Sequence, residues 1–505
     1  MTNQDCILAI DQGTSSTKGV LLDLGLGVRA VVSVPVNIDS PQPGWVEQNP
    51  KEIWQSALAA ALELLEAAAA ESYAVKGIAI TNQRESALAW DVVTGEPLSA
   101  MLGWQDRRTA SSIDGFSAAT QVRIREITGL PLDPMFSALK FAWILDQIDP
   151  DRSRSRAGEI ALGTVDSWLT YKLTGQHVVE VGNASRTQLL KVATGDWSTE
   201  LLETFNIPAA ALPAVVGSDF RAEVTLEGSL KGLEILGILA DSHAALYAHH
   251  ASDGASVKAT FGTGSSIMAL GGSAANEGRG LVRTIAWGKS QVSSNKADIQ
   301  IQPALEGNIL SSGSTLIWLG KLLGRTPNEL DQLARTATSQ DVNLVPAFGG
   351  LGAPWWDPNA QAIIDGMSLA TGAAELALAG FEAIALQIED VLAAVESETG
   401  AKLLSVNVDG GPTSNDWLMQ LQANLSQRTV VKNQIAELSA VGVAVFAAQA
   451  AGLLGTALAS NGISFIAQIS ADRAAARQAT WHSAVTSARN QPNKPINRTT
   501  GQKNN

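Results

Sequence analysis

Apolar and polar positions alternate over short runs at the start of the chain. Ile7–Asp11 and Gly19–Asp23 read as strands flanking a tight turn, and Val28–Val36 supplies a third, which makes a meander rather than a parallel crossover. Ala, Leu and Trp at helical spacing predict a helix over Ile53–Ala70, followed by the strand Gly77–Thr81. The order is β-β-β-α-β. The second half repeats it more loosely: Ser256–Phe261 and Ser266–Leu270 flank a second turn, Gly307–Gly324 and Ala373–Thr399 predict helices, and Leu404–Val408 is a strand running into Asp409-Gly410-Gly411. This repetition predicts an α/β chain of two lobes with a ligand cleft between them. The boundary is expected near Tyr247–Gly254, giving lobes over residues 1–248 and 249–486, with the polar Ser487–Asn505 as a frayed tail.

Length agrees, since 505 residues exceed what one hydrophobic core supports. Ser439–Ser460 has no charged residue, but its Ala and Gly content and Gln449 favour a buried, closely packed helix over a membrane span. With 49 acidic against 35 basic residues the net charge is −14, which argues against a nucleic-acid or anionic-membrane partner. The single cysteine, Cys6, cannot form an internal disulfide and reads as a small core residue. Met1–Asp5 lacks the pattern of a secretory signal, so a cytoplasmic protein is expected.

The two turns carry the first candidate chemistry. Ile10-Asp11-Gln12-Gly13-Thr14-Ser15-Ser16 and Thr260-Phe261-Gly262-Thr263-Gly264-Ser265-Ser266 each pack glycine and hydroxyl residues between strands. Glycine admits an anion close to the backbone, and N–H and hydroxyl groups donate to phosphate oxygens. One such turn in each half suggests a polyphosphate gripped between the lobes. Asp11 could hold Mg²⁺ or cap its own turn, and Lys18 could reach a phosphate or stay solvated. Asp241, at the end of the strand Ile235–Ala240, is the candidate general base, with a helix N-cap as the plain alternative. His243 beside it reads as a structural or rim residue. Arg84 and Glu85 offer a donor and an acceptor suited to vicinal hydroxyls, or a surface ion pair. Trp104 could stack on a carbon backbone or lie in the core, and Asp409-Gly410-Gly411-Pro412-Thr413-Ser414-Asn415 could contact adenosine.

Together these residues resemble the FGGY carbohydrate kinases, most of all their glycerol-phosphorylating branch. The resemblance runs through Pro43-Gly44-Trp45-Val46-Glu47, Ile80–Glu85, Gly163-Thr164-Val165-Asp166, Asn183-Ala184-Ser185-Arg186-Thr187, Val345–Phe348 and Leu351–Pro358. Met135–Gln147 matches the family's first signature in full. Ala362–Glu382 matches the second except at Gly380, where a somewhat larger residue is usual. The resemblance implies two actin-like, ribonuclease H-like lobes that close on ATP and Mg²⁺ with a small polyol or ketose, and it allows a homodimer. By motif position Asp241 is then the catalytic base, associated with Asp11 at the metal. Thr14 and Thr263 match phosphate contacts, Gly313, Gly411 and Asn415 match nucleotide contacts, and Arg84 and Glu85 hold substrate hydroxyls.

The chain departs from that branch at Met135, Ser242 and Ser266, where Tyr, Gln and Phe are usual, and at Ile317 in place of a Gln near the nucleotide. Glu227–Leu239 lacks the arginine that accompanies control by fructose 1,6-bisphosphate. The three pocket replacements imply a longer acceptor than glycerol, although repacking around them would keep glycerol. Two other classes compete: a non-catalytic sugar or nucleotide sensor on the same fold, and an actin-like ATPase. A sensor would be expected to lose Asp11 or Asp241, and an ATPase would not need Arg84, Glu85 and Trp104.

Overall fold

The computed structural model describes residues 4–254, 256–272, 280–293, 296–339, 341–435, 437–455 and 462–491. The alternating runs become two sheets of matching topology. In the first, Val28–Pro35, Ser16–Asp23 and Gln4–Gln12 pair antiparallel, and Tyr73–Asn82 and Glu234–Ala240 continue in parallel. In the second, Lys296–Ile309, Ser265–Leu270 and Val257–Phe261 pair antiparallel, and Ser405–Asp409 and Thr429–Lys432 continue in parallel. Asp11 lies opposite Thr81 in the first sheet, and Thr260 lies opposite Asp409 in the second. The corresponding positions of the repeat therefore fall at corresponding strand ends.

One face of the first sheet, with Leu8, Ile10, Ile78 and Ile80, is covered by the helix Pro50–Ala70, which Asn49 caps through Lys51 N–H. This is the one described helix long and apolar enough to cross a bilayer, and its apolar residues lie on the sheet. The other face is covered by Asp241–Asp253 and by Leu438–Ala450, whose side chains meet Ile7, Ala9, Val20, Leu22 and Ala79. The latter helix comes from the second half of the sequence, so the first lobe is completed by a late segment. A Cβ on Gly442 would fall 2.0 Å from the Ala244 carbonyl oxygen, and this close approach accounts for the Ala- and Gly-rich composition. The helix ends at Ala450, earlier than the uncharged stretch suggests, and residues 456–461 lie outside the described residues.

Two further expectations are corrected. Gly307 belongs to the strand Lys296–Ile309, and the helix begins only at Gly313. A Cβ on Gly307 would stand 2.5 Å from Val391 Cγ1, so this glycine serves sheet-to-helix packing rather than a helix start. The last helix, Ala471–Arg489, runs into the expected tail, whose residues 492–505 lie outside the described residues. Near the expected lobe boundary, Asp241–Asp253 runs as one helix to a left-handed cap at Gly254, φ 73°.

Candidate active site

A cavity of about 460 Å³ opens where the strand ends of the two lobes meet, lined among others by Asp11, Lys18, Asp241, Ser242, Lys258, Thr260, Asp409, Gly410 and Glu437. Asp11 and Lys18 are register partners on adjacent strands, and Lys18 Nζ donates to Glu437 Oε2 at 2.7 Å. The Asp11 carboxyl is pushed up to about 7, first by burial and then by the charge of Asp241, with Lys18 opposing. Asp241 follows the Glu234–Ala240 strand and opens its helix one residue inside the Ala240 cap. Its Oδ1 accepts from Ser242 N–H at 2.6 Å and lies 3.5 Å from Arg84 Nε. Burial raises its pKa, and Arg84 works against that rise. Two carboxylates that repel each other beside open space form a set that a hard divalent cation relieves.

Behind Asp241 the lobes are joined by buried charge. Arg84 gives a bidentate fork to Glu306, Nη2 to Oε1 at 2.8 Å and Nη1 to Oε2 at 3.1 Å. Arg186 Nε donates to Glu85 Oε1 at 2.6 Å, and its Nη1 lies 2.9 Å from Glu306 Oε2. Burial alone would raise the Glu306 pKa, but Arg186 and Arg84 outweigh it and hold the carboxyl well below the usual range. Ser266 Oγ donates to Glu306 Oε1 at 3.2 Å. Arg84 is thus not part of a surface ion pair: its side chain is 10% exposed and Glu306 is fully buried. Glu85 holds a left-handed φ of 60°, and buried Lys140 braces it by donating to its carbonyl at 2.6 Å and to the Gly103 carbonyl at 2.7 Å. Burial pushes the Lys140 pKa down to about 7.

Trp104, 39% exposed, donates from Nε1 to Thr14 Oγ1 at 3.1 Å and so ties the expected substrate wall to the first turn. In that turn Gly13 N–H donates to the Ser16 carbonyl at 3.0 Å, with Ser15 between them. Met135 packs with Leu130, Phe136, Val282 and Trp356, and the Phe136 ring lies under Arg186. His243 is fully buried rather than at the rim, and burial holds its ring well below the usual pKa.

Around the second turn, Gly313 N–H donates to Gly262 O at 2.9 Å, and the amides of Ser312 and Ser314 donate to Thr263 O at 3.0 Å each. The helix Gly313–Leu323 is thereby docked on the turn. A Cβ on Gly264 would meet Ile309 O at 2.4 Å, and one on Gly410, φ 96°, would meet Phe261 O at 2.0 Å. Gly411 opens a short 3-10 turn, after which Asn415 caps the helix Asp416–Ser426 through Leu418 N–H and donates to Asp331 Oδ1 at 3.1 Å. Asn415 lines a separate opening with Asp331, Arg335 and Trp417.

Asp11, Lys18, Asp241, Ser242 and Gly410 therefore meet at one cavity, while Arg84 and Ser266 meet at Glu306 and Glu85 joins them through Arg84 and Arg186. Sequence reasoning missed Glu306, Lys140 and Lys258, and gave Arg186 no role. The available signal was a charge inside an apolar strand: Leu305-Glu306-Gly307 and Val257-Lys258-Ala259.

The N-terminal domain of the FGGY family of carbohydrate kinases matches residues 6–246, and the family's C-terminal domain matches residues 257–451. A glycerol kinase of Alkalilimnicola ehrlichii is 40% identical over 495 residues, covering 95% of this chain and 98% of that protein. The crystal structure of Plasmodium falciparum glycerol kinase with ADP is similar with a TM-score of 0.87 and 28% identity, over 96% of this chain and 98% of that one. The fold also matches xylulose kinase from Rhodospirillum rubrum, with a TM-score of 0.82 and 24% identity over 95% of this chain and 98% of that one.

Proposed function

Because the chain belongs to the FGGY family of carbohydrate kinases, we propose that it transfers the γ-phosphate of ATP to a hydroxyl of a polyol or ketose of about four or five carbons. The observation that carries this reading is the position of Asp241, which shares the inter-lobe cavity with Asp11 and stands 3.5 Å from the buried Arg84. Asp241 accepts the proton of the attacking hydroxyl, and the Arg84–Glu85 region holds neighbouring hydroxyls. Asp11, with Asp241 beside it, suits Mg²⁺, because two carboxylates and phosphate oxygens satisfy that ion while leaving room for water. When bound, Mg²⁺ supplies positive charge to the phosphates. Trp104 and Thr14 fix the substrate wall against the first phosphate turn. Cleft closure then excludes water as a competing acceptor.

Acceptor length is argued from the pocket. Ser266 directs a small polar side chain at Glu306, where the glycerol-phosphorylating branch has an aromatic ring, and Ser242 is shorter than Gln. An enlarged wall with an unchanged anchor leaves polar groups unpaired by a short ligand, which weakens discrimination in its favour. Specificity constants for glycerol, tetritols, erythrulose, ribulose, xylulose and pentitols test this. A compound of about four or five carbons is expected to exceed glycerol by about tenfold or more, and glycerol ahead of every longer compound would refute the enlarged pocket while leaving the kinase reading intact.

A further inference from the structure

The repeat that relates the two turns also aligns the strands leading into them, Ala9-Ile10-Asp11-Gln12-Gly13-Thr14 with Lys258-Ala259-Thr260-Phe261-Gly262-Thr263. Side chains two apart on a strand share a face. Ala9 and Asp11 of the first lobe thus correspond to Lys258 and Thr260 of the second. The first pair brings a carboxylate to the cavity, and the second brings an ammonium.

Lys258 is 1% exposed, on a strand whose neighbours Val257 and Ala259 are core residues. Burying a charge there is costly unless an anion compensates it. Its Nζ donates to the neutral hydroxyl of Thr260 at 2.7 Å, and both residues line the cavity. Lys18, the other lysine of the cavity, is already held by Glu437 at 2.7 Å, whereas Lys258 forms no such ion pair among the described residues. Its field still reaches its neighbours. Burial would raise Asp409, but Lys258 and the 3.1 Å bond from His249 Nε2 bring it to about 2.

We propose that Lys258 is a further catalytic residue, whose ammonium holds the γ-phosphoryl group from the second lobe while Asp241 acts on the acceptor hydroxyl from the first. The assignment rests on the kinase reading above. In the step, the acceptor oxygen bonds to the γ-phosphorus as the bond from that phosphorus to the β–γ bridging oxygen breaks. The hydroxyl proton passes to Asp241, and ADP departs with the electron pair of the broken bond. Lys258 gives up no proton; it offsets charge on the non-bridging oxygens throughout.

The test uses the full-length protein and Lys258→Met, with calorimetric titration of ATP·Mg²⁺ and ADP·Mg²⁺ in the absence of acceptor. ATP affinity is expected to fall about tenfold or more and ADP affinity to change less than about twofold, since only ATP carries the contacted group. With acceptor, kcat is expected to fall about a hundredfold at unchanged acceptor KM, and Lys258→Arg is expected to restore part of both losses. Should Lys258→Met not fold, Lys258→Met combined with Asp409→Asn removes both buried charges, and the same ATP-selective loss is expected relative to Asp409→Asn alone. Equal weakening of ATP and ADP in the folded variant, or an Arg variant no better than Met, would assign Lys258 a structural role and overturn the proposal. If the wild-type protein phosphorylates no polyol or ketose, the kinase reading fails, and the ATP-against-ADP comparison still decides the contact.

Discussion

Asp241 and Asp11 divide the work of one cavity by their surroundings. Burial raises the Asp241 pKa and Arg84, 3.5 Å away, opposes that rise, an arrangement suited to a carboxylate base at the cavity. Asp241→Asn is expected to lower kcat about a hundredfold or more while circular dichroism and ATP affinity stay near wild type; turnover near wild type would remove Asp241 from the base role. Asp11 has a folded pKa near 7 against an ordinary 3.8, so the folded apoprotein holds that proton more tightly than the unfolded chain does. Its ionisation therefore costs nothing below the ordinary value, costs more as pH rises toward 7, and costs its full amount above 7. Asp11→Asn should raise the apoprotein Tm at pH 8 and leave it nearly unchanged at about pH 3, as measured by thermal unfolding across pH without Mg²⁺. These carboxylates were legible because each ends an apolar strand. Glu306 and Lys258 were not, because a charge within a strand reads as a solvated residue until the fold shows its partner on a distant segment.

Elements were legible where one period dominated. The strands beside both turns and the helix Ala373–Thr399 follow directly from alternation and helical spacing. The Val282–Ser293 and Lys296–Ile309 pair was not, because clean alternation is confined to Asp298–Gln302, while Ala304, Leu305 and Glu306 divide between the cores and the inter-lobe network. The same mixture makes Gly307 read as a helix start. Gly442 gives an element-scale prediction. Alanine favours a helix over glycine by about 1 kcal/mol, yet the added Cβ meets a backbone carbonyl of the neighbouring helix at 2.0 Å, which cannot rotate away. The clash is the larger effect, and Gly442→Ala should destabilise by about 2 kcal/mol, read from denaturant unfolding. A stabilised variant would show that the two helices can part at low cost.

At the scale of the whole molecule, the two glycine turns lie in different lobes, and the proposed reaction requires them to converge on one ligand, while Glu306 already grips Arg84 and Arg186 across the junction. The closure expected of that reaction would pivot about this buried network and narrow the cleft beyond it. Small-angle scattering with saturating ATP·Mg²⁺ and acceptor should show the radius of gyration falling by about 1 Å; an unchanged value would count against closure.

The crossing helix sets a further condition, on the order in which the protein is made. The face of the first sheet that carries Ile7, Ala9, Val20, Leu22 and Ala79 is covered by Asp241–Asp253 together with Leu438–Ala450, and the second of these leaves the ribosome long after the sheet's last strand, Glu234–Ala240. At about 5–20 residues per second, that face waits roughly ten to forty seconds for its cover. Folding of the first lobe cannot finish co-translationally ahead of the second. Any pause or truncation between those segments leaves an apolar sheet open to chaperones, and the two halves of this chain mature as one unit.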